Sequence, residues 1–509
     1  MYSIMKNITK ILAVVAAGSL FTVACTKNFE KLNTHPSDLN PEDMNSVERV
    51  GTLLPAMIYL LQPQQENNSQ MTDQLVYGQL GGYYAAPNPF SNHGGADHQV
   101  ASFNPQNSMY QSPYIDKVSA FYSNYFKVVE ETNGEGPVAL ISQVLRVAIM
   151  HKVADTYGPI PYSKIGGGEF EVEYDGLAEL YPRFIDDLSK AITSLEGYSG
   201  TSEALADYDI MYHGDFAKWR KFANSVKFRL ALRMSSMDED FAKTAMAEAM
   251  ANGMILENND NGMLPTNDNP VYKAAISWGD LVVNATITTY MNGYYDLRRQ
   301  YYFNKDDWGD FAGMRLGYYP GQKPPFSTPK LTQTSPLPVY YAAESYFLMA
   351  EAAARGLISG DAVSYYNAGI RISHDQWGAA LSNYMDQPGG TFNYNDVLCD
   401  NATLEAPAVS MDASDDLETK LQKILTQKYI ALYPMGLESW CDFRRTGYPA
   451  MITTQHLAGT EVNATRMMRR LKYPDSERYN NPANWQKAID TWFGGEDSFG
   501  KDLDWAKKD

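Results

Sequence analysis

In LESWCDFRRTGYP, residues 437–449, two carboxylates and two guanidinium groups crowd together, the ingredients of an acid/base site. Glu438 and Asp442 stand four apart, so on a helix they share a face where Arg444 or Arg445 in the next turn offers a two-pronged partner. That spacing favours a structural ion-pair device over an active site. DTYGPIPYSK, residues 155–164, reads the same way, with Asp155 and Tyr157 in a turn device shaped by Gly158, Pro159 and Pro161. His93, Asp97 and His98 lie in SNHGGADH, a spacing that matches no zinc signature and has no cysteine near it. ENNDNG, residues 257–262, begins with Glu257 where a calcium loop begins with Asp, and a turn explains its Asn and Gly equally well. No nucleophile elbow, zinc-protease helix, phosphate loop or dinucleotide fingerprint is present. The expectation is a protein without catalytic residues, metal or cofactor.

A different chemistry is carried by the aromatic residues, 36 Tyr, 20 Phe and 8 Trp, or 13% of the chain. Tyr and Trp present flat apolar faces with a polar edge, a match for a sugar ring with its C–H face and surrounding hydroxyls. They concentrate in two stretches dense in Gly, Pro and Asn and lacking helical period, at about 81–113 and 253–338. Loops of that length in a compact domain are usually functional or disordered, and their aromatic load argues against disorder. The expected ligand contacts are Tyr83, Tyr84 and Phe90 with the Asn88 amide in the first stretch, and Trp278, Trp308, Tyr318 and Tyr319 in the second.

The elements that must position these loops read as helices. Apolar residues recur three and four apart at about 110–132, 136–158, 175–197, 214–234, 238–252, 340–356, 361–378 and 414–434. The last opens with Asp415 and Glu418 at capping-box spacing. The pair at 340–378 fits the tetratricopeptide template: Tyr346, Met349 and Ala350 occupy its first helix and Ala362, Tyr366 and Gly369 its second, without the closing Pro. Small Ala350 and Ala362 allow close helix approach. The fold class expected is mainly α, with tetratricopeptide-like helical repeats and long, loop-rich, aromatic-rich insertions.

The chain begins with Lys6 and Lys10 ahead of an apolar run ending at Ala24, the layout of a secretory signal over residues 1–24. Cys25 follows directly. A signal core that ends on a small residue and then Cys resembles the lipobox of bacterial lipoproteins, although Thr22 departs from the usual Leu. Cys25 is therefore read as a lipidated anchor, residues 25–48 as a tether and 49–509 as one domain. Loss of two lysines with the signal moves the net charge from −18 to −20, a balance unsuited to nucleic-acid phosphates and suited to a neutral ligand. Cys399 and Cys441 are expected as two separate buried thiols.

Five stretches occur together: DTYGPIPYSK, GDFAKWRKFANSVKFRLALRMS at 214–235, AESYFLMAEAAARG at 343–356, QKYIALYPMGLESWCDFRRTGYP at 427–449 and RRLKYPDSERYNNPANWQKAI at 469–489. In this order they resemble the SusD/RagB family of outer-membrane nutrient-binding lipoproteins of Bacteroidetes, in its SusD-like branch, over nearly the whole mature chain. NTHPSDL at 33–39 is similar to the segment that follows the lipid anchor in that branch. The resemblance implies a tetratricopeptide-based fold at the cell exterior. It also implies a partner, a SusC-like TonB-dependent transporter over which the lipoprotein sits as a lid. Within NGYYDLRRQYYF, residues 292–303, Asp296 and Arg298 resemble a family scaffold segment and are left out of the ligand set. An oligosaccharide is the expected ligand. A peptide could use the same aromatics, and a surface glycoside hydrolase is the remaining alternative because carboxylate separation is a fact of space.

Overall fold

Capping and periodicity place the helices of this computed structural model, which describes residues 46–395 and 401–506. The longer helices are α1 (Ser112–Thr132), α2 (Gly136–Tyr157), α3 (Leu177–Leu195), α4 (Phe216–Met234), α5 (Glu239–Ala251), α6 (Ala285–Gly293), α7 (Ala342–Ala354), α8 (Ala362–Gln376), α9 (Leu417–Ala431), α10 (Gly436–Thr446) and α11 (Pro482–Phe493). Asp215, Asp238 and Asp361 cap α4, α5 and α8 by accepting from backbone N–H groups of the first turn. The cap of α9 is Asp416, whose carboxylate accepts from Thr419 N–H at 2.7 Å. Asp415, the capping-box candidate, instead accepts from Asp412 N–H at 2.9 Å and from Lys423 at 2.5 Å. Gly158 (φ 95°) stops α2 and Gly447 (φ 86°) stops α10 in conformations a side chain rarely adopts.

Each helix packs on its neighbour: α1 on α2, α2 on α3, α3 on α4, α4 on α5 and α7, and α7 on α8 and α9. This is a stack of helical hairpins, mainly α with few and short strands. In the α7/α8 hairpin Gly369 faces the Phe347 ring so closely that a Cβ would stand 3.0 Å from it, and Phe347 meets Tyr366 edge-on at 6.1 Å. One element exceeds its expected stripe. Ser142, Val147, Met150, His151 and Lys152 are buried with the apolar face, so α2 is enclosed on nearly all sides. By length and composition it is apolar enough to cross a membrane, yet it is packed inside the body.

The two insertions fold into each other. Strands β1 (Tyr84–Ala85) and β3 (Val282–Val283) pair antiparallel, with Tyr84 opposite Val283, while β2 (Gly262–Leu264) pairs with β4 (Leu337–Tyr340). A small core of Ala85, Ala101, Val282, Met314, Leu316 and Phe326 takes residues from both insertions. The second insertion also contains α6, missed as a helix because Ala285 to Met291 are buried all round and so show no polar face to mark a period. A hairpin of β5 (Gly390–Asn395) and β6 (Asn401–Ala406) lays Phe392 against α6, where a Cβ on Gly293 would stand 2.2 Å from the ring. By contacts the chain divides into Met1–Arg49 and Val50–Asp509, the latter holding every element named above. Cys25, with most of the tether, and Cys399 lie outside the described residues. Cys441 is a buried free thiol.

Candidate functional site

Tyr83, Tyr84 and Phe90 face inward, which corrects their expected place on a ligand surface. Tyr83 is fully buried: its ring stacks on Tyr429 at 4.8 Å, meets Tyr433 edge-on at 5.5 Å, and its hydroxyl donates to the Tyr429 carbonyl at 2.6 Å. Tyr84 is 3% exposed and meets the same Tyr433 ring at 6.0 Å. Phe90, at φ 46°, packs against His93 and is 9% exposed. A ring whose faces are occupied cannot stack on a ligand. Aromatic density marked these loops, but part of that density builds their own small cores.

Asn88, Trp278, Tyr318 and Tyr319 are half-buried on loops tied to one another. Gly321 N–H donates to the Pro87 carbonyl at 3.1 Å and Lys323 N–H to the Gly279 carbonyl at 3.1 Å, joining three loop segments. Asp280 takes the Gln322 amide at 2.9 Å and the Asn88 amide at 3.4 Å, so Asn88 is committed to holding the loops. Trp278 carries the Lys273 ammonium 5.9 Å above its ring. Tyr318 leans on the small core, edge-on to Phe326 at 6.5 Å. The Tyr319 hydroxyl is buried without a partner among the described residues. Burial, with the Asp97 charge added, pushes its pKa up.

Trp308 stands elsewhere, on one wall of an open groove of about 660 Å³ lined by none of the other seven residues. Its loop is built by Asp306, which is nearly buried. The carboxylate accepts from Trp308 N–H at 3.0 Å and Asp310 N–H at 2.7 Å, and Gly309 (φ 88°) closes the turn. The indole is left 54% exposed. Facing the same groove is Tyr295, 69% exposed and at φ 52°, where the chain leaves α6. The next residues form a fully buried knot, Arg298 paired with Asp296 at 2.6 Å, which fixes the turn that throws Tyr295 outward. Phe311 lies between the Arg299 guanidinium at 5.4 Å and the Lys305 ammonium at 5.6 Å. Asn292 donates to the Phe311 carbonyl at 2.7 Å and accepts from Arg299 at 3.0 Å. The groove thus offers two accessible ring faces with a guanidinium and the exposed Asp310 carboxylate, the pairing of apolar platform and orienting polar groups that a sugar needs.

Tyr295 and Asn292 lie in NGYYDLRRQYYF, a segment that Asp296 and Arg298 mark as scaffold. The available signal was the tyrosine doublet itself: Tyr294 is buried and Tyr295 exposed, and two adjacent aromatics at a chain reversal point opposite ways.

The acid/base-like cluster is an interior zipper between helices. Glu438 on α10 is held by Arg229 at 3.1 Å and Arg233 at 2.5 Å, both on α4, rather than by an arginine of its own helix. Arg229 also grips Glu344 of α7 with two bonds, at 2.6 and 2.7 Å. Arg233 reaches Asp155, which sits in the last turn of α2 and also accepts from the Tyr181 hydroxyl. Asp155 is therefore a buried ion-pair member, not a turn residue. Arg445 forks onto Glu351 of α7, and Asp442 takes Lys428 at 2.8 Å. Arg444 reaches no carboxylate among the described residues. It stacks on Trp440 with 3.6 Å to the ring centre and donates to the Arg469 carbonyl at 2.9 Å. Burial raises the pKa of a lone carboxyl, but Arg229 and Arg233 overcome it and hold Glu438 far below its usual range, while Arg445 holds buried Glu351 down to about 2. Glu438 and Glu351 are thus held in the ionised form by their arginines, which suits a scaffold and not proton transfer.

In the first insertion His93 Nδ1 bonds the Ser108 hydroxyl at 2.8 Å, and Asp97 pairs with His456 at 2.7 Å. In the ENNDNG turn Asp260 accepts from Lys221 at 2.6 Å and the Asn258 amide donates to the Ile372 carbonyl at 2.9 Å. Each of these groups is engaged by another part of the protein's own chain.

A family model described as "SusD-like: Susd and RagB outer membrane lipoprotein" matches residues 31–506. Among solved structures, a SusD-like protein from Bacteroides thetaiotaomicron is 32% identical with a TM-score of 0.86, the match covering 90% of this chain and 99% of that one. A SusD homologue from Bacteroides uniformis is 32% identical with a TM-score of 0.83 over the same shares. A chitin-binding SusD homologue from Flavobacterium johnsoniae is 27% identical with a TM-score of 0.82, covering 91% and 99%. No curated protein matches.

Proposed function

The chain belongs to the SusD-like family of outer-membrane lipoproteins, and from that premise we propose that it captures an oligosaccharide at the cell surface and delivers it to a SusC-like TonB-dependent transporter. Cys25 carries the lipid that anchors it to the outer membrane, facing the exterior. The role is binding, without catalysis.

The observation that carries the ligand assignment is the pair of exposed rings, Tyr295 and Trp308, across one groove of about 660 Å³. Exposed rings that converge on one groove, unlike rings scattered singly, mark a binding surface. The chitin-binding homologue supports a glycan over other nutrients. The acidic net charge of −18 supports a neutral sugar over an acidic one. Trp278, Tyr318 and Tyr319 add a second half-exposed aromatic region on the neighbouring tied loops.

Calorimetry of the protein without its signal, against neutral oligosaccharides including chito-oligosaccharides and against peptides, tests the assignment. Binding to sugars alone is expected. Binding to peptides alone overturns the glycan and leaves the lid role. The anchor is tested by Cys25→Ala, which loses fatty-acid labelling and stays folded. Labelling that persists in the variant overturns the anchor.

A further inference from the structure

The connection from α2 to α3 ends in a tip that nothing in the proposed ligand site uses. Its base is clamped. Asp175 accepts from Tyr162 N–H at 3.1 Å, Ser163 N–H at 2.7 Å and the Ser163 hydroxyl at 2.5 Å, while Asp175 N–H donates to the Ile160 carbonyl at 2.9 Å. Higher up, Glu173 is paired with Lys164 and with Lys487 at 3.1 Å, and the Asn481 amide donates to the Val172 carbonyl at 2.7 Å. Above these ties stands IGGGEFE, residues 165–171, with Gly166 at φ 88° and Gly168 at φ 93°. Phe170 at its end is 100% exposed. Phe126 of α1, against which Gly166 packs, is itself 37% exposed.

A Phe side chain in water forgoes the stabilisation that burial would return. The tip is tied at its base, and Phe170 stands fully in solvent above it. Glu169 and Glu171 flank it, both exposed and, among the described residues, without an ion-pair partner. An apolar prong between two free carboxylates fits an apolar pocket with a basic rim. It does not fit an anionic membrane surface, where interfacial segments pair apolar residues with Lys and Arg. A second copy is disfavoured because each mature chain carries a net charge of −20.

We propose that the Phe170 tip is a docking prong, received by an apolar pocket rimmed by Lys or Arg on the extracellular face of the transporter. This rests on the lid reading above and names a contact for it, separate from the sugar groove.

The experiment compares wild type, Phe170→Ser and the double variant Glu169→Lys/Glu171→Lys, expressed as full lipidated chains. Each is purified in mild detergent, and the co-purifying TonB-dependent transporter is quantified by mass spectrometry. Phe170→Ser is expected to lower recovered transporter at least tenfold, as loss of a central aromatic anchor does. The charge reversal lowers it as well, with melting temperature and sugar affinity unchanged in both variants. Wild-type recovery in both variants overturns the prong and leaves the lid reading standing. Absence of transporter even with wild type, while a known pair survives the same extraction, overturns the lid reading and the contact with it. A dimer lost in Phe170→Ser, or Phe170-dependent binding to anionic lipid vesicles, reassigns the tip and overturns the proposal. A fall of several degrees in the melting temperature of Phe170→Ser overturns its exposure.

Discussion

Arg229 and Arg299 each lie beside an aromatic ring, Tyr340 at 4.8 Å and Phe311 at 5.4 Å. Arg229 is 3% exposed between two carboxylates inside the helical stack, while Arg299 lines an open groove among the loops. The same contrast holds for the rings themselves: Tyr83 is enclosed by tyrosines, and Tyr295 is mostly in water. The stack uses charge to fix helix against helix, because desolvated ions tolerate only the geometry that pairs them. The groove uses the same chemistry unfinished, with faces and donors left for something else to complete. Residue type therefore says little about role in this chain, and burial decides it.

That contrast breaks most sharply at Arg229. Arg229→Ala strands Glu344, which has no other basic partner among the described ion pairs, and leaves Glu438 with Arg233 alone. Urea unfolding is expected to show a loss of about 3–5 kcal/mol, the cost of an uncompensated buried charge. Tyr83→Ala should cost about 3–5 kcal/mol as well, through the cavity left between Tyr429 and Tyr433. If Tyr83→Ala weakened sugar binding and left stability intact, the boundary drawn between core and groove would be misplaced.

Acid should weaken the stack through its paired carboxylates. Arg445 holds Glu351 down to about 2, below an unfolded carboxyl at about 4.3. A group depressed on folding contributes stability above its unfolded pKa and loses it as pH falls through the folded value. The window is about pH 4.5 to 2, and the contribution is about 3 kcal/mol. Asp155 and Glu344 are pushed upward by burial and oppose this slope, so the difference between two chains is the clean quantity. Glu351→Gln should unfold in acid along a shallower slope than wild type. Parallel slopes in the two would remove Glu351 from the balance.

The stack was legible because its helices advertise themselves: α3 buries Leu177, Leu180, Tyr181, Phe184, Ile185 and Leu188 at spacings of three and four. The pairings across it were not. Glu438 sits four residues from Asp442 and its arginines are over two hundred positions away on α4, a distance that periodicity cannot bridge. In the loops, composition marked stretches that fold into each other and singled out Trp308, whose half-exposed ring lines the groove. It also marked Tyr83 and Tyr84, because two adjacent tyrosines in a Gly-rich loop look alike whether they face water or Tyr433. The resemblance carried by five motifs in order reached the family, and those motifs lie largely in the stack. The groove falls between them.

The smallest effect belongs to the groove and tests the contrast from its other side. Trp308→Ala and Tyr295→Ala should each weaken oligosaccharide binding by about 1–3 kcal/mol, the range for losing a stacked, desolvated ring. Both side chains are more exposed than buried, so neither variant removes packing and the melting temperature should hold. Asp306→Ala sharpens the point. It keeps the indole but removes the acceptor of two loop N–H groups, so Trp308 loses its fixed pose, and affinity should fall less than in Trp308→Ala and recover with Asp306→Asn. Unchanged affinity in both ring variants would return the groove to ordinary surface and shift the search to Trp278 and Tyr319. A fall of several degrees in melting temperature for Trp308→Ala would instead place that ring with Tyr83, among the residues whose work is finished once the chain has folded.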